Sequence, residues 1–493
     1  LGRIASWLQE NKEERHMPKA PAPKRARAVP TAKKAVARRA SPKAKGPSRA
    51  TTKAIPRKPA TKKRVSAKPA KPQRPSFERE MDGFVAHIES LSKALQSTME
   101  AMVESLKRSS EAMNSFIKNK GVRRTAKDGS ERFSIKPPDL RQFERKLKTV
   151  RSASLAVTNI PQIFLCSLVH KYDAYLGRLL RVAFSVRPEM LAASEKTLTY
   201  TDLANFTSLA AARESLIERE VEPVIRESHI YHFNWMEKRF GLPLRKDLDV
   251  WPVFVEITER RNLFVHCDGI VSSQYLKVCK TNGVQLDSDI KVGDQLTVDP
   301  AYFAKAFDCM LEIGIKLGHV LWRKLQPNDM DAADKALQDT GYELLAEERY
   351  ELAKMILRFA ANTLKNVSSD QVRRMNLINL CSAHKFSGDQ ETCNSLLDSE
   401  DWSACGPEFH LAVAVHKDNF VGAAAIMESM GKDGAVSREG YSTWPLFKEF
   451  RESKEFLAAY RKLFGEEFVV PEDIDITTKK PTKASRRRPK GRA

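Results

Sequence analysis

Three residues near the middle of the chain have the types and spacing to handle a phosphodiester: Arg261, Asn262 and His266. A guanidinium can grip a phosphate with two parallel hydrogen bonds and oppose the charge that develops on it. An imidazole titrates near neutrality and can carry a proton between oxygens. RNA brings its own nucleophile, the 2′-hydroxyl, so this set implies strand cleavage with no cofactor and no metal. Asn262 and His266 stand four residues apart, which places them one above the other on a helix. Arg261 precedes them and can share the same cleft.

The element that must position them is a helix expected from about Asp249 to His266, with Pro252 in its first turn and Gly269 just past its end. At about 100° per residue, Phe254, Ile257, Phe264 and Val265 define one apolar arc. Arg261 falls inside that arc and Arg260 at its edge. An arginine directed into an apolar face needs a carboxylate, a phosphate or a wet cleft opposite it. His266 lies at the C-terminal end, where the helix dipole favours imidazolium. The competing interpretation is a buried polar cluster or cap with no chemistry.

Arg261-Asn262-Leu263-Phe264-Val265-His266 resembles the R-N-x-x-x-H motif of HEPN domains, helical domains of bacterial toxins, abortive-infection proteins and related nucleases. The resemblance extends to a helical bundle over roughly 155–325 that carries the motif on its third main helix. It implies an RNA-cleaving dimer in which Arg261 binds phosphate, His266 transfers a proton, and two copies of the pair share one cleft. Asn262 takes the polar position after the arginine, and Glu259 is a supporting candidate one turn earlier. The family also includes members that only bind nucleotides or act as scaffolds.

Other constellations are weaker. His229 and His232 are three apart, but no acidic or cysteine pair accompanies them in sequence, so a packed or interface role is expected. There is no P-loop, H-E-x-x-H or G-x-S-x-G motif. The seven cysteines form no C-x-x-C pair and are expected to be reduced. Trp322, Trp402 and Trp444 read as core anchors.

The whole pattern is all-α: a HEPN-like helical bundle followed by helical-hairpin repeats, preceded by a long coiled-coil-like helix, with disordered basic tails. Residues 1–75 form the first tail. Met17–Pro75 holds 20 Lys/Arg and no acid, and Thr477–Ala493 holds eight and no acid, so the formal +22 belongs to the ends and the part between is weakly acidic. Such segments bury too little apolar surface to offset chain entropy. Their attraction for phosphate is sequence-blind and salt-sensitive. The candidate contacts are Lys24, Arg25, Arg27, Lys33, Lys34, Arg38, Arg39, Lys62, Lys63 and Arg64 in the first tail. In the second, over 471–493, they are Arg486, Arg487 and Arg488.

Over 76–118, Phe77, Met81, Phe84, Ile88, Leu91 and Leu95 recur in alternating steps of four and three, and Met99, Met102, Leu106 and Met113 continue the stripe. Such a seam needs a partner helix; a coiled coil between two copies is the preferred expectation, packing on the body the other. A polar linker follows over 119–139. Within 140–326, helices are expected at Gln162–Ser185 after Pro161, at about Ala210–Phe240 with a bend at Pro223, and at about Pro300–Leu325. An irregular stretch lies over 270–297. Over 327–470, Gly341, Leu344, Tyr350, Ala353, Leu357 and Ala360 have tetratricopeptide-like spacing. Leu377, Leu380, Gly388, Cys393 and Leu397 echo it, as do Leu411, Ala414, Phe420 and Ala423.

No uninterrupted apolar run reaches the ~18 residues of a membrane span, and no signal-peptide core is seen at the start. Leu1 is not a methionine, and the first is Met17. The leading expectation is a cytoplasmic, metal-independent endoribonuclease of defence or toxin type, possible nucleoid association included. Its partners would be RNA as substrate, nonspecific DNA or RNA on the tails, a second copy, and a protein on the repeats, with no membrane. The alternatives are a non-catalytic adaptor and a nucleoid-associated protein in which the motif is a relic.

Overall fold

A computed structural model describes residues 76–125, 131–193, 197–246 and 248–469. The basic tails and every tail cation named above lie outside them. Among the described residues are sixteen α-helices and one β-hairpin, so the chain is all-α, a helical bundle followed by helical hairpins.

Helix α1, Phe77–Lys120, opens at Ser76, whose hydroxyl accepts from the Arg79 amide. It runs into a hairpin of β1, Gly121–Thr125, and β2, Glu131–Ile135, where the sequence suggests only a linker. Helix α2, Pro137–Val186, returns alongside it. The expected start after Pro161 is therefore a correction. Pro161 lies buried inside α2, where it removes one amide donor but leaves the helix continuous.

The stripe on α1 finds its partner largely within the chain. Phe77, Met81, Phe84, Ile88 and Leu95 are buried in the main core. Phe84 stacks on Tyr175 of α2 at 4.4 Å between ring centres, and the Tyr175 hydroxyl donates to the Gly314 carbonyl at 2.9 Å. Gly314 and Gly318 belong to α8, Pro300–Leu325. A Cβ on Gly314 would come within 2.2 Å of the Phe84 ring, and one on Gly318 within 2.3 Å of Met81 Sδ. The two glycines let α1 seat against α8. The inter-chain coiled coil expected for this seam is thus replaced over Phe77–Leu95 by packing on α2 and α8.

Between α2 and α8 lie α3, Tyr200–Ala204; α4, Leu209–Ile225; α5, His229–Phe240; α6, Trp251–His266; and α7, Ser273–Thr281. The single helix expected over Ala210–Phe240 is two. Ser228 caps α5 by accepting from the Tyr231 amide at 3.2 Å, so the chain restarts there. The stretch expected to be irregular contains α7, capped by Ser272. The chain turns at Asn282-Gly283, with Gly283 at φ +74°.

By length and composition α2 could cross a membrane, a test that core helices also pass. Only 22% of its most apolar 18-residue stretch is buried, while Leu165, Leu168, Tyr172, Leu176 and Leu179, toward its C-terminal end, lie in the core.

The repeats follow without a break: the Trp322 indole donates to Asp329 at 2.9 Å, and Arg323 pairs with buried Asp334. The hairpins are α9, Met330–Ala346, with α10, Tyr350–Arg358; α11, Asp370–Phe386, with α12, Gln390–Asp398; and α13, Pro407–His416, with α14, Phe420–Met430. Their turns repeat. Glu348, Gly388 and Asp418 have φ of 58°, 88° and 56°. The next amide in each, from Arg349, Asp389 and Asn419, donates five residues back at 2.9 Å, the closing bond of a left-handed helix stop. Gly341 permits close approach, since a Cβ there would lie 2.6 Å from Leu357 Cδ2. The last helices among the described residues are α15, Arg438–Thr443, and α16, Lys454–Phe464, around Tyr441, Phe447, Phe450 and Phe456. Trp322 is fully buried as expected; Trp402 and Trp444 are half-buried at the edge of this second core.

Candidate functional site

Helix α6 is covered on two sides. One side, with Phe254 and Ile257, faces the main core. The other, with Leu263, meets a small cluster of Val271, Tyr275, Cys279 and Leu296 supplied by the segment after the helix. That second face corrects the expected arc: Leu263 is buried while Val265 is 54% exposed. The apolar stripe shifts at the helix end because the 270–298 segment folds back there, with Val271 donating to the Asp294 carbonyl at 2.8 Å and Leu296 to that of Gly269 at 2.9 Å.

The neighbouring arginines separate accordingly. Arg260, expected at the edge and away from the core, is the more enclosed of the two, its side chain 13% exposed against 22% for Arg261. Its Nε donates to Glu256 at 2.6 Å, its Nη1 to the Thr297 carbonyl at 3.1 Å, and its guanidinium covers the Tyr302 ring at 4.0 Å. Glu256 also accepts from the hydroxyls of Tyr275 at 2.7 Å and Tyr302 at 2.6 Å. Burial and the Glu256 charge push both phenols far above their ordinary range. This is a closed polar network in which every named group is paired.

Arg261 turns the other way, into a cleft of about 560 Å³ also lined by Asn262, His266, Glu259, Asp173 and His229. Its Nη2 donates to Asp173 Oδ2 at 2.8 Å and its Nη1 to Asn262 Oδ1 at 3.0 Å. The carboxylate the sequence argument requires is therefore Asp173, on α2. Asn262 Nδ2 reaches Glu259 at 3.4 Å, a long bond. Burial raises the Glu259 pKa, opposed by His229, Asn262 and Arg261. His266, at the last turn of α6, is exposed at the cleft edge. All four residues singled out by the motif thus line one cleft.

Sequence reasoning missed Asp173 and the involvement of α5. Asp173 Oδ1 meets His229 Nε2 at 2.8 Å, so one carboxylate bridges Arg261 and His229. The restart of the chain at Ser228 is what sets His229 in the first turn of α5, opposite Asp173. His232 packs behind His229, ring centres 5.1 Å apart. Burial first, then the neighbouring His229, pushes its pKa down to about 4. Both histidines are buried, and although no acidic or cysteine pair accompanies them in sequence, one carboxylate, Asp173, reaches them from another helix. The available signal was Asp173 itself, an acid flanking the inner stripe of α2.

The described cysteines are all free thiols. Compared with family models, curated proteins and solved structures, the chain matches none.

Proposed function

We propose that this chain is a metal-independent endoribonuclease of HEPN type. One observation carries the reading: Arg261, Asn262, Glu259 and His266 line a single cleft, with Arg261 oriented by Asp173. Asp173 and Asn262 engage Nη2 and Nη1 and fix the guanidinium plane; the remaining N–H groups are donors for a phosphate. In the reaction, the 2′-oxygen bonds to the adjacent phosphorus and the bond from phosphorus to the 5′-oxygen breaks. His266 takes the proton from the 2′-hydroxyl or returns one to the 5′-oxygen, and a second copy of the chain supplies the complementary pair. The basic tails raise the local concentration of RNA or DNA without reading sequence, and the hairpin repeats offer a surface for a protein partner.

A second reading is favoured by the Arg261–Asp173 ion pair: an arginine already neutralised within its own chain suits an adaptor with a polar core network. Cleavage of varied RNAs by the full chain in EDTA separates the two. The ribonuclease reading expects products ending in a 2′,3′-cyclic phosphate and none from His266→Ala. A folded wild-type protein that cuts no RNA leaves the adaptor. Removal of 17–75 is expected to weaken nucleic-acid binding uniformly and flatten its salt dependence, measured by filter binding across a salt series.

A further inference from the structure

The cleft contains a second constellation, which the ribonuclease reading does not use. Asp173, His229 and His232 each present one ligand-type atom, and these atoms lie within 4.8 Å of one another. His229 and His232 sit one turn apart on the first turns of α5, and Asp173 reaches them from α2. The hydrogen bond between Asp173 and His229 accounts for two of the three. It does not account for His232, which is 1% exposed and whose two buried ring nitrogens make no hydrogen bond of good geometry, only looser approaches to the backbone of Ile225 and Glu227. An imidazole sealed off in that way forfeits the hydration of both nitrogens.

We propose that Asp173, His229 and His232 form a binding site for a divalent late-transition-metal ion of the zinc class. Two imidazoles and one carboxylate are borderline-soft donors that suit zinc and its neighbours and not calcium or magnesium, which prefer all-oxygen cages. Ligand atoms on a tetrahedral zinc stand roughly 3.3 Å apart, so the set adjusts on binding, the Asp173–His229 pair opening from 2.8 Å as the ion replaces their hydrogen bond. Asp173 can ligate through Oδ1, the oxygen facing His229, and retain Arg261 on Oδ2. Arg261 then becomes the outer partner that orients the carboxylate. Three protein ligands leave a fourth position to solvent or an anion from the cleft that all three line.

The site stands independently of ribonuclease activity, and its test reads the metal. The full chain, stripped with a chelator, is titrated with Zn²⁺ by calorimetry and with Co²⁺ by visible absorption. Expected is one ion per chain and a tetrahedral or five-coordinate Co²⁺ spectrum. Asp173→Asn and His232→Ala are expected to weaken binding by on the order of 100-fold. Arg261→Gln, which removes a nearby positive charge, is expected to tighten it. Absence of stoichiometric binding, or binding that survives both ligand substitutions, overturns the proposal. Should the variants not fold, X-ray absorption on the wild-type zinc complex decides: two imidazoles and an oxygen ligand support the site, and any cysteine sulfur ligand or a different imidazole count overturns it.

Discussion

Arg260 and Arg261 are adjacent in sequence, share one helix, and live in opposite worlds. Arg260 closes a network with Glu256, Tyr275, Tyr302 and the Thr297 carbonyl, and it is Tyr275, not Arg260, that also lines the open cleft. Arg261 meets Asp173 and Asn262 at the wall of an open cleft, with His266 at its edge. The difference teaches that burial alone does not show where an arginine's donor fork points. Both guanidiniums have a carboxylate partner; they differ because Arg260 is also held by the Thr297 carbonyl and the Tyr302 ring, whereas Arg261 faces the cleft. The half-open one keeps part of its donor fork available.

The largest expected effect falls on the open side. If the cleft cuts RNA, His266→Ala lowers kcat by about 10²- to 10⁴-fold, the range for losing a proton-transfer group, with an unchanged melting temperature. Arg261→Lys keeps the charge but loses the planar grip, and steady-state cleavage assays are expected to show a loss of similar order. Full activity in Arg261→Lys would remove Arg261 from the chemistry.

On the closed side the effect is on folding. Arg260→Ala leaves Glu256 buried without its cation, which costs about 3–5 kcal/mol for a broken buried pair. The lower end is expected, since Tyr275 and Tyr302 still donate to the carboxylate. Denaturant melts should show the loss, while kcat per folded molecule stays near wild type. An Arg260→Ala protein of normal stability but no activity would invert the comparison.

A sealed histidine gives a third contrast. His319 on α8 is buried, stacked at 6.0 Å on Trp322, and does not line the open cleft. Burial, then the Arg323 charge, lowers its pKa from 6.5 to about 3. The unfolded chain therefore binds a proton that the folded chain refuses as the pH drops below 6.5. The stability present above that value is lost progressively down to about 3. By pH 5 the loss is about 2 kcal/mol from this group. Melts of His319→Gln between pH 7 and 5 are expected to show a shallower decline than wild type; an identical slope would show that His319 does not report on the pH.

What could be read ahead of the structure follows from how local each signal is. Helix α8 matches its expected bounds because Asp299, Pro300 and a long apolar period are all contiguous. Helix α6 was legible for the same reason, Pro252 and Gly269 marking its ends. The Arg261 partner was not legible, since Asp173 is 88 residues away and only the packing of α2 on α6 joins them. The break at Ser228 was missed because its signal is one capping hydroxyl set against a continuous helical period. The fate of the α1 stripe turned on Gly314 and Gly318: a heptad-like seam shows that a partner helix is needed, but the two glycines that make α8 that partner lie in another part of the chain. The first hairpin was visible in the spacing of Gly341, Ala353 and Ala360, the later ones more weakly for want of small residues at the matching positions, and Glu348 and Asp418 in left-handed turns were not visible, since neither is a glycine.

The smallest expected effect separates orientation from chemistry within the open cleft. Asn262 touches Arg261 through Oδ1 at 3.0 Å and Glu259 through Nδ2 at 3.4 Å. The first bond aligns the guanidinium; the second is long enough to contribute little. Asn262→Ala removes one neutral acceptor from a charged donor that still has Asp173, a loss of about 1–1.5 kcal/mol, or roughly tenfold in kcat/KM. Asn262→Asp keeps the acceptor at Oδ1 and surrenders only the weak bond to Glu259, while setting a carboxylate beside Glu259. If Asn262 acts by aligning Arg261, Asp retains more kcat than Ala, and the difference disappears when Arg261 is already Lys. Equal losses in Ala and Asp would instead assign the side-chain amide N–H to the substrate, making Asn262 a binding residue in its own right.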